Sequence, residues 1–194
     1  NFKLICDFID NSENLKWTDL FEEFTFEKFF DNTFTKENEK WSLNILNKII
    51  NHPKININFI DDSLYKTSAL EHTLCFFKRD SSLKIVKILL QHPNIDVNLQ
   101  SKRGWTALMY ASCNFNTYCS LETVELLLKH PNINVNLQNK DGCTALIKIL
   151  NNETYKFLKI FKLLLKHQNI NVNLQDKYGW TALMHALFLS DICD

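Results

Sequence analysis

Six histidines and six cysteines are the residues of this chain best suited to chemistry. Imidazole serves as a general base near neutral pH, thiolate as a nucleophile, and the two together as zinc ligands. Their spacing argues against all three uses. His52, His92, His130 and His167 recur at intervals of 40, 38 and 37 residues (92 − 52, 130 − 92, 167 − 130), each at the end of an apolar helical stretch. A histidine that repeats by position has a structural job, and a donor or cation suits a helix C-terminus. His72 and His185 fall on other helices; His185 could face a ligand, but a lone histidine is usually a surface or packing residue.

The cysteines, at 6, 75, 113, 119, 143 and 193, form no CxxC pair and no zinc-finger spacing with histidine. They read as reduced, mostly buried thiols of an intracellular protein, in preference to three disulfides of a secreted one. The chain has no Gly-rich phosphate loop and no GxSxG, HExxH or DxDxDG pattern. Asn152-Glu-Thr154 fits a glycosylation acceptor, which matters only in a secreted protein. Neither catalysis, cofactor nor metal is expected. Twenty-two Lys and Arg balance 22 Asp and Glu, which argues against a large electrostatic footprint for nucleic acid or anionic lipid. No signal peptide and no 18-residue apolar run is apparent, so no membrane span is expected. A cytoplasmic monomer that binds neither nucleic acid nor membrane is expected.

The elements that must position these residues are set by repetition. The three glycines, Gly104, Gly142 and Gly179, are 38 and 37 residues apart (142 − 104, 179 − 142), and Pro53, Pro93 and Pro131 keep nearly the same time. Three segments align: His92 to Ala111, His130 to Ile149 and His167 to Ala186. A fourth, from His52 to His72, is degraded and carries Lys66 in place of the glycine. In each unit a glycine suits a turn that needs positive φ, and Thr106, Thr144 or Thr181 then caps a short inner helix that opens with a small alanine. An outer helix follows, with apolar residues at i, i+3, i+4 and i+7: residues 82–90, 121–128 and 158–165. Ser82 and Ser120 stand as N-caps, and the His-Pro pair ends the helix by pushing the residue before proline out of the helical region. The alternating Asn-Ile-Asn-Val-Asn stretch reads as an extended arm leading to the glycine turn.

This pattern resembles the ankyrin repeat. Gly104-Trp-Thr-Ala-Leu-Met-Tyr-Ala111 and Gly179-Trp-Thr-Ala-Leu-Met-His-Ala186 correspond to the family's turn-and-inner-helix motif, and Leu127-Leu128 through Asn134-Val-Asn136 to its outer-helix and arm motif. The resemblance spans about residues 42–188. It implies an all-α helical repeat solenoid with short extended arms and β-turn tips. Two departures stand out. The period is 37–38 residues against the family's roughly 33, and Ala with Met or Ile replaces the family's Pro and His. Longer inter-helix loops and an altered stacking geometry are expected.

Residues 1–40 differ. Eight of the 15 phenylalanines lie there, and the stretch reads as a helical N-terminal cap or degenerate repeat, or else as a partner-docking segment. Residues 41–194 form the array, whose last repeat is incomplete. Two readings fit that end, of which the N-terminal part of a longer array is favoured over a natural frayed end.

The resemblance implies binding through the turn tips and the concave face of the inner helices. Carried over by position, the tips are Lys102, Arg103 and Trp105, then Lys140, Asp141 and Cys143, then Lys177, Tyr178 and Trp180. The outward inner-helix positions are Tyr110, Lys148 and His185. They vary between units while the framework repeats, as a tunable surface would. Trp105 and Trp180 share one position and could instead pack between neighbouring turns. The function implied is a non-catalytic protein-interaction module. Alternatives are the substrate-recognition arm of a ubiquitin-ligase adaptor docked through its N-terminal segment, and a regulatory piece of a larger enzyme.

Overall fold

The computed structural model describes residues 39–53, 55–60, 66–76, 79–113, 121–150 and 156–190. Eight helices follow one another through them: α1 (Glu39–Ile50), α2 (Ala69–Phe76), α3 (Arg79–Leu90), α4 (Ala107–Cys113), α5 (Leu121–Leu128), α6 (Ala145–Leu150), α7 (Lys156–Leu165) and α8 (Ala182–Ser190). They pack in two rows. In the inner row α2 touches α4, α4 touches α6 and α6 touches α8; in the outer row α1, α3, α5 and α7 touch in the same order. The pairs α2–α3, α4–α5 and α6–α7 tie the rows together. This is the all-α repeat solenoid expected. Residues 1–38, and with them nearly all of the expected cap or docking segment, lie outside the described residues. So do Cys6, Cys119, Cys193, Ser120 and Asn152.

The inner helices α4 and α6 are sandwiched between neighbours, so they are apolar nearly all round. In α4, Ala107, Leu108, Met109, Ala111 and Ser112 are buried and Tyr110 only partly so. In α6, Ala145, Leu146, Ile147 and Ile149 are buried and Lys148 holds the partly open place. Tyr110 and Lys148 therefore stand at equivalent, partly open places of α4 and α6. The caps are as expected. The Oγ1 atoms of Thr106, Thr144 and Thr181 accept the N–H of Met109 (3.3 Å), Ile147 (3.2 Å) and Met184 (3.4 Å). In the degraded unit, Ser68 and Glu71 form a reciprocal capping box, at 2.8 and 3.4 Å. The outer helices bury one stripe each: Ile85, Val86 and Leu89, then Val124 and Leu127, then Ile160 and Leu164.

Three local expectations are corrected. Ser82 is not an N-cap: α3 begins at Arg79, which leaves Ser82 buried within the helix, its Oγ without a hydrogen-bond partner. The prolines do not end the outer helices either. α3, α5 and α7 stop at Leu90, Leu128 and Leu165, two residues before His92, His130 and His167, and α7 does so although Gln168 stands where the others have proline. Proline instead occupies the second place of a β-turn closed by Ile95 N–H to His92 O and Ile133 N–H to His130 O, both 3.1 Å, where its fixed φ is favourable. The histidines accept at this turn: Nδ1 of His92, His130 and His167 takes the N–H of Asn94, Asn132 and Asn169 at 3.2–3.3 Å.

The arm is likewise a second turn and not a strand. Asn98, Asn136 and Asn173 donate their N–H groups to the side-chain oxygen two residues back, on Asp96, Asn134 and Asn171 (2.9, 3.0 and 3.0 Å). Local side-chain acceptors outcompete strand pairing here. The same asparagines stitch the stack. Asn98 Nδ2 donates to Asn132 O at 2.7 Å while its Oδ1 accepts Asn134 N–H at 2.8 Å. Asn58 does the same with Asn94 and Asp96, and Asn136 with Asn169 and Asn171.

Candidate functional site

Each of the three glycine tips is organised by one polar residue: Ser101, Asn139 or Asp176. The glycine three residues on closes a β-turn on its carbonyl, with Gly104 N–H to Ser101 O at 2.7 Å, Gly142 N–H to Asn139 O at 2.9 Å and Gly179 N–H to Asp176 O at 2.9 Å. The side chain then collects the N–H groups inside the turn. Asn139 Oδ1 accepts from Asp141 (3.0 Å) and Cys143 (2.9 Å), Asp176 Oδ1 from Tyr178 (2.9 Å) and Trp180 (3.0 Å), and Ser101 Oγ from Trp105 (3.2 Å). Two of these residues also hold the inner-helix position: Tyr110 Oη donates to Ser101 Oγ at 3.2 Å, and His185 Nε2 lies 2.9 Å from Asp176 Oδ2. Sequence reasoning passed over this column. Its signal was Ser, Asn or Asp with glycine three residues later, the preferred ends of a type I turn.

Successive tips lean on one another. Lys140 N–H donates to Arg103 O (3.1 Å) and Lys177 N–H to Asp141 O (2.8 Å). Gln100 Nε2 spans Gly104 O (2.7 Å) and Gln138 O (2.9 Å), and Gln138 Nε2 spans Gly142 O (2.6 Å) and Gln175 O (2.8 Å). The glycines sit at φ of 75°, 74° and 81°, as the turn demands. In the degraded unit Lys66 adopts φ 48° without that freedom. Approach is so close that a Cβ on Gly104 would lie 2.9 Å from Lys140 N, and one on Gly142 2.8 Å from Lys177 N.

On this frame Lys102, Arg103, Lys140, Lys177 and Tyr178 are exposed, Tyr178 at 75 %. Asp141, Lys148, Tyr110, Trp105, Trp180 and His185 are partly buried. Cys143 is a correction: it is buried in the core, where its small side chain fills the place that tryptophan holds in the flanking units. Trp105 packs between repeats, its ring 5.1 Å from that of Tyr110 and under Lys148 Nζ at 5.0 Å, and it lies against the core. Trp180 packs on His185 (5.3 Å) and edge-on to Phe188 (5.5 Å). Lys177 Nζ pairs with Asp141 Oδ1 at 2.6 Å and lies 5.1 Å from the centre of the Tyr178 ring.

The electrostatics follow from these contacts. Hydrogen bonding to Lys177, with its charge, holds the Asp141 carboxyl below the ordinary value, and Asp141 raises Lys177 in return. Burial pushes Asp176 up, but the hydrogen bonds from Trp180 N–H, His185 and Tyr178 N–H outweigh it, and the carboxyl titrates below its ordinary value. Burial raises Tyr110 and Cys143, and pushes the Cys113 thiol up to about 12. Cys75, Cys113 and Cys143 are in no disulfide, and the raised Cys113 and Cys143 thiols are protonated and poor nucleophiles at neutral pH. Among the described residues no group of three His, Cys, Asp or Glu is placed to hold a metal ion, and no helix is long and apolar enough to cross a membrane. What the tips offer is a row of exposed cations and one exposed aromatic on a hydrogen-bonded frame.

A family model described as ankyrin repeats (3 copies) matches residues 38–139 and 116–193. No curated protein matches the sequence.

Proposed function

The chain belongs to the ankyrin-repeat family, whose repeats are protein–protein interaction modules, and on that premise we propose a non-catalytic scaffold or adaptor that grips its partner with the turn tips and the concave inner-helix face. The observation that supports this reading is the contrast within each tip. Gly, Thr, Ala and Leu repeat and are built into the stack, while the exposed pair before the glycine changes from Lys102-Arg103 to Lys140-Asp141 to Lys177-Tyr178. The four exposed cations outnumber the tip carboxylates: Asp141 is paired with Lys177, and Asp176 is buried. The partner such a surface fits presents acidic groups beside an apolar contact for Tyr178. Arg and Tyr are residue types that dominate interface energetics. Trp105 is a support of this surface: its ring is occupied by Tyr110 and Lys148.

The test compares two faces. Arg103→Glu with Tyr178→Ala alters only exposed side chains, so stability should stay within about 0.5 kcal/mol. Affinity for the partner recovered from the native cell should fall at least about tenfold. Glu122→Lys with Glu125→Lys, on outer helix α5, should leave it intact. Binding lost through the α5 pair and kept by the tip pair would refute the proposal.

A further inference from the structure

The face of the last described unit, turned away from α6, repeats the stacking chemistry of the two interfaces before it, and no described residue uses it. At those interfaces each unit meets four backbone groups of the next at fixed spacing. Asn98 bonds 132 O and 134 N–H, Gln100 bonds 138 O, and Arg103 O takes 140 N–H. Asn136, Gln138 and Asp141 O meet 169 O, 171 N–H, 175 O and 177 N–H in the same order. The last unit carries Asn173, Gln175 and the Tyr178 carbonyl at the equivalent places, and among the described residues neither side-chain amide nor that carbonyl has a partner. Gly179 keeps φ 81°, yet a Cβ there would meet nothing within 4 Å. The apolar part matches: Leu183 is 68 % exposed where Leu146 is 1 %, and Val172 is 41 % where Val135 is 2 %. Met184, whose counterparts Met109 and Ile147 are fully buried, is exposed as well.

We propose that this face takes one more repeat unit of the same build, stacked in register on α8 and the Gly179 tip. Continuity with the two established interfaces selects that occupant. Leu183, Met184 and Val172 would accept any apolar surface. Asn173, Gln175 and the Tyr178 carbonyl accept only a backbone that offers a carbonyl, an N–H two residues on, a carbonyl six on and an N–H eight on. The turn-arm-tip backbone of this repeat does so twice already. A unit seated there extends the tip row by one and covers apolar surface that is otherwise a liability. The proposal goes beyond partner binding by the tips and stands whether or not that reading does.

The experiment extends the full chain. Residues 1–187 running directly into a second copy of residues 151–194 keep the 37-residue spacing (187 − 150). The extended chain should melt at least about 5 °C higher. Amide exchange in α8 should slow at least about tenfold. Asn173→Ala should be silent in the parent chain but should lower the melting temperature of the extended one. An unchanged melting temperature with α8 exchanging as before would overturn the proposal. So would concentration-dependent self-association of the parent chain, abolished by Leu183→Glu, which would make the occupant a second copy.

Discussion

Gly104 and Gly142 answer to two constraints and Gly179 to one. All three need positive φ, but only the first two lie against the backbone of a following tip. Gly104→Ala and Gly142→Ala should each cost about 3 kcal/mol, from backbone strain plus overlap with Lys140 N or Lys177 N. Gly179→Ala should cost about 1 kcal/mol, the strain alone. Urea unfolding of the three variants checks the ranking; equal losses would contradict the role given to tip contact. The turn itself was legible in the sequence because glycine is rare here and recurs in step. The crowding was not, because it depends on residues 36 and 35 positions away (140 − 104, 177 − 142). Trp105 makes the same point: its aromatic type fits a contact anchor or a packing residue, and the contacts of its ring with Tyr110 and with Lys148 of the next unit lie outside what the sequence displays. Asp176 adds a pH dependence. Its folded carboxyl titrates below the unfolded value of about 3.9. Its stabilisation is therefore full above about pH 4 and is lost as pH falls through the lower folded value. Asp176→Asn should keep the tip, as Asn139 does in the unit before, and remove the titration. The stability gap between parent and variant, measured at pH 7, 4 and 3, should shrink with acid; a constant gap would contradict the assignment.

Between tip and helix the asparagine arm carries the stack. Each of Asn58, Asn98 and Asn136 satisfies one carbonyl and one N–H of the next unit. Asn98→Ala or Asn136→Ala strands both groups and should cost about 2 kcal/mol. Asn173→Ala, with no described partner, should cost less than about 0.5 kcal/mol. Thermal melts of the three variants separate the two classes. The helices were legible in the sequence because their apolar residues recur at 3, 4 and 7, and α1, α3, α5 and α7 fall where that period places them. Their ends were less so. Ser82 looks like a cap by type, but Arg79 to Ser81 extend α3 ahead of it. The His-Pro pair looks like a helix stop, yet α7 ends at the same place over His167-Gln168. The arm's alternation of apolar and polar residues fits a strand as well as two turns in series. Asparagine oxygens that bind their own backbone two residues on decide for turns.

At the scale of the molecule the described residues form a stack in which successive units pack on one another, so stability is close to a sum of units and interfaces. That arrangement frees the tips. The side chains that hold the frame are those of threonine, the Ser101–Asn139–Asp176 column and the asparagine and glutamine stitches, around the turn glycines; Arg103 and Lys140 join it only through their backbone, and no frame contact uses the side chains of Lys102, Arg103, Lys140 or Tyr178 among the described residues. A surface can therefore be respecified at the tips without touching the fold, which is what an interaction module requires. The most direct test is hydrogen exchange along the whole chain with and without its bound partner. Binding by the tips and inner face predicts protection at residues 101–105, 139–143 and 176–180 and in α4, α6 and α8, with α3, α5 and α7 unchanged. Protection confined to the outer helices, with the three tips exchanging as in the free protein, would contradict it.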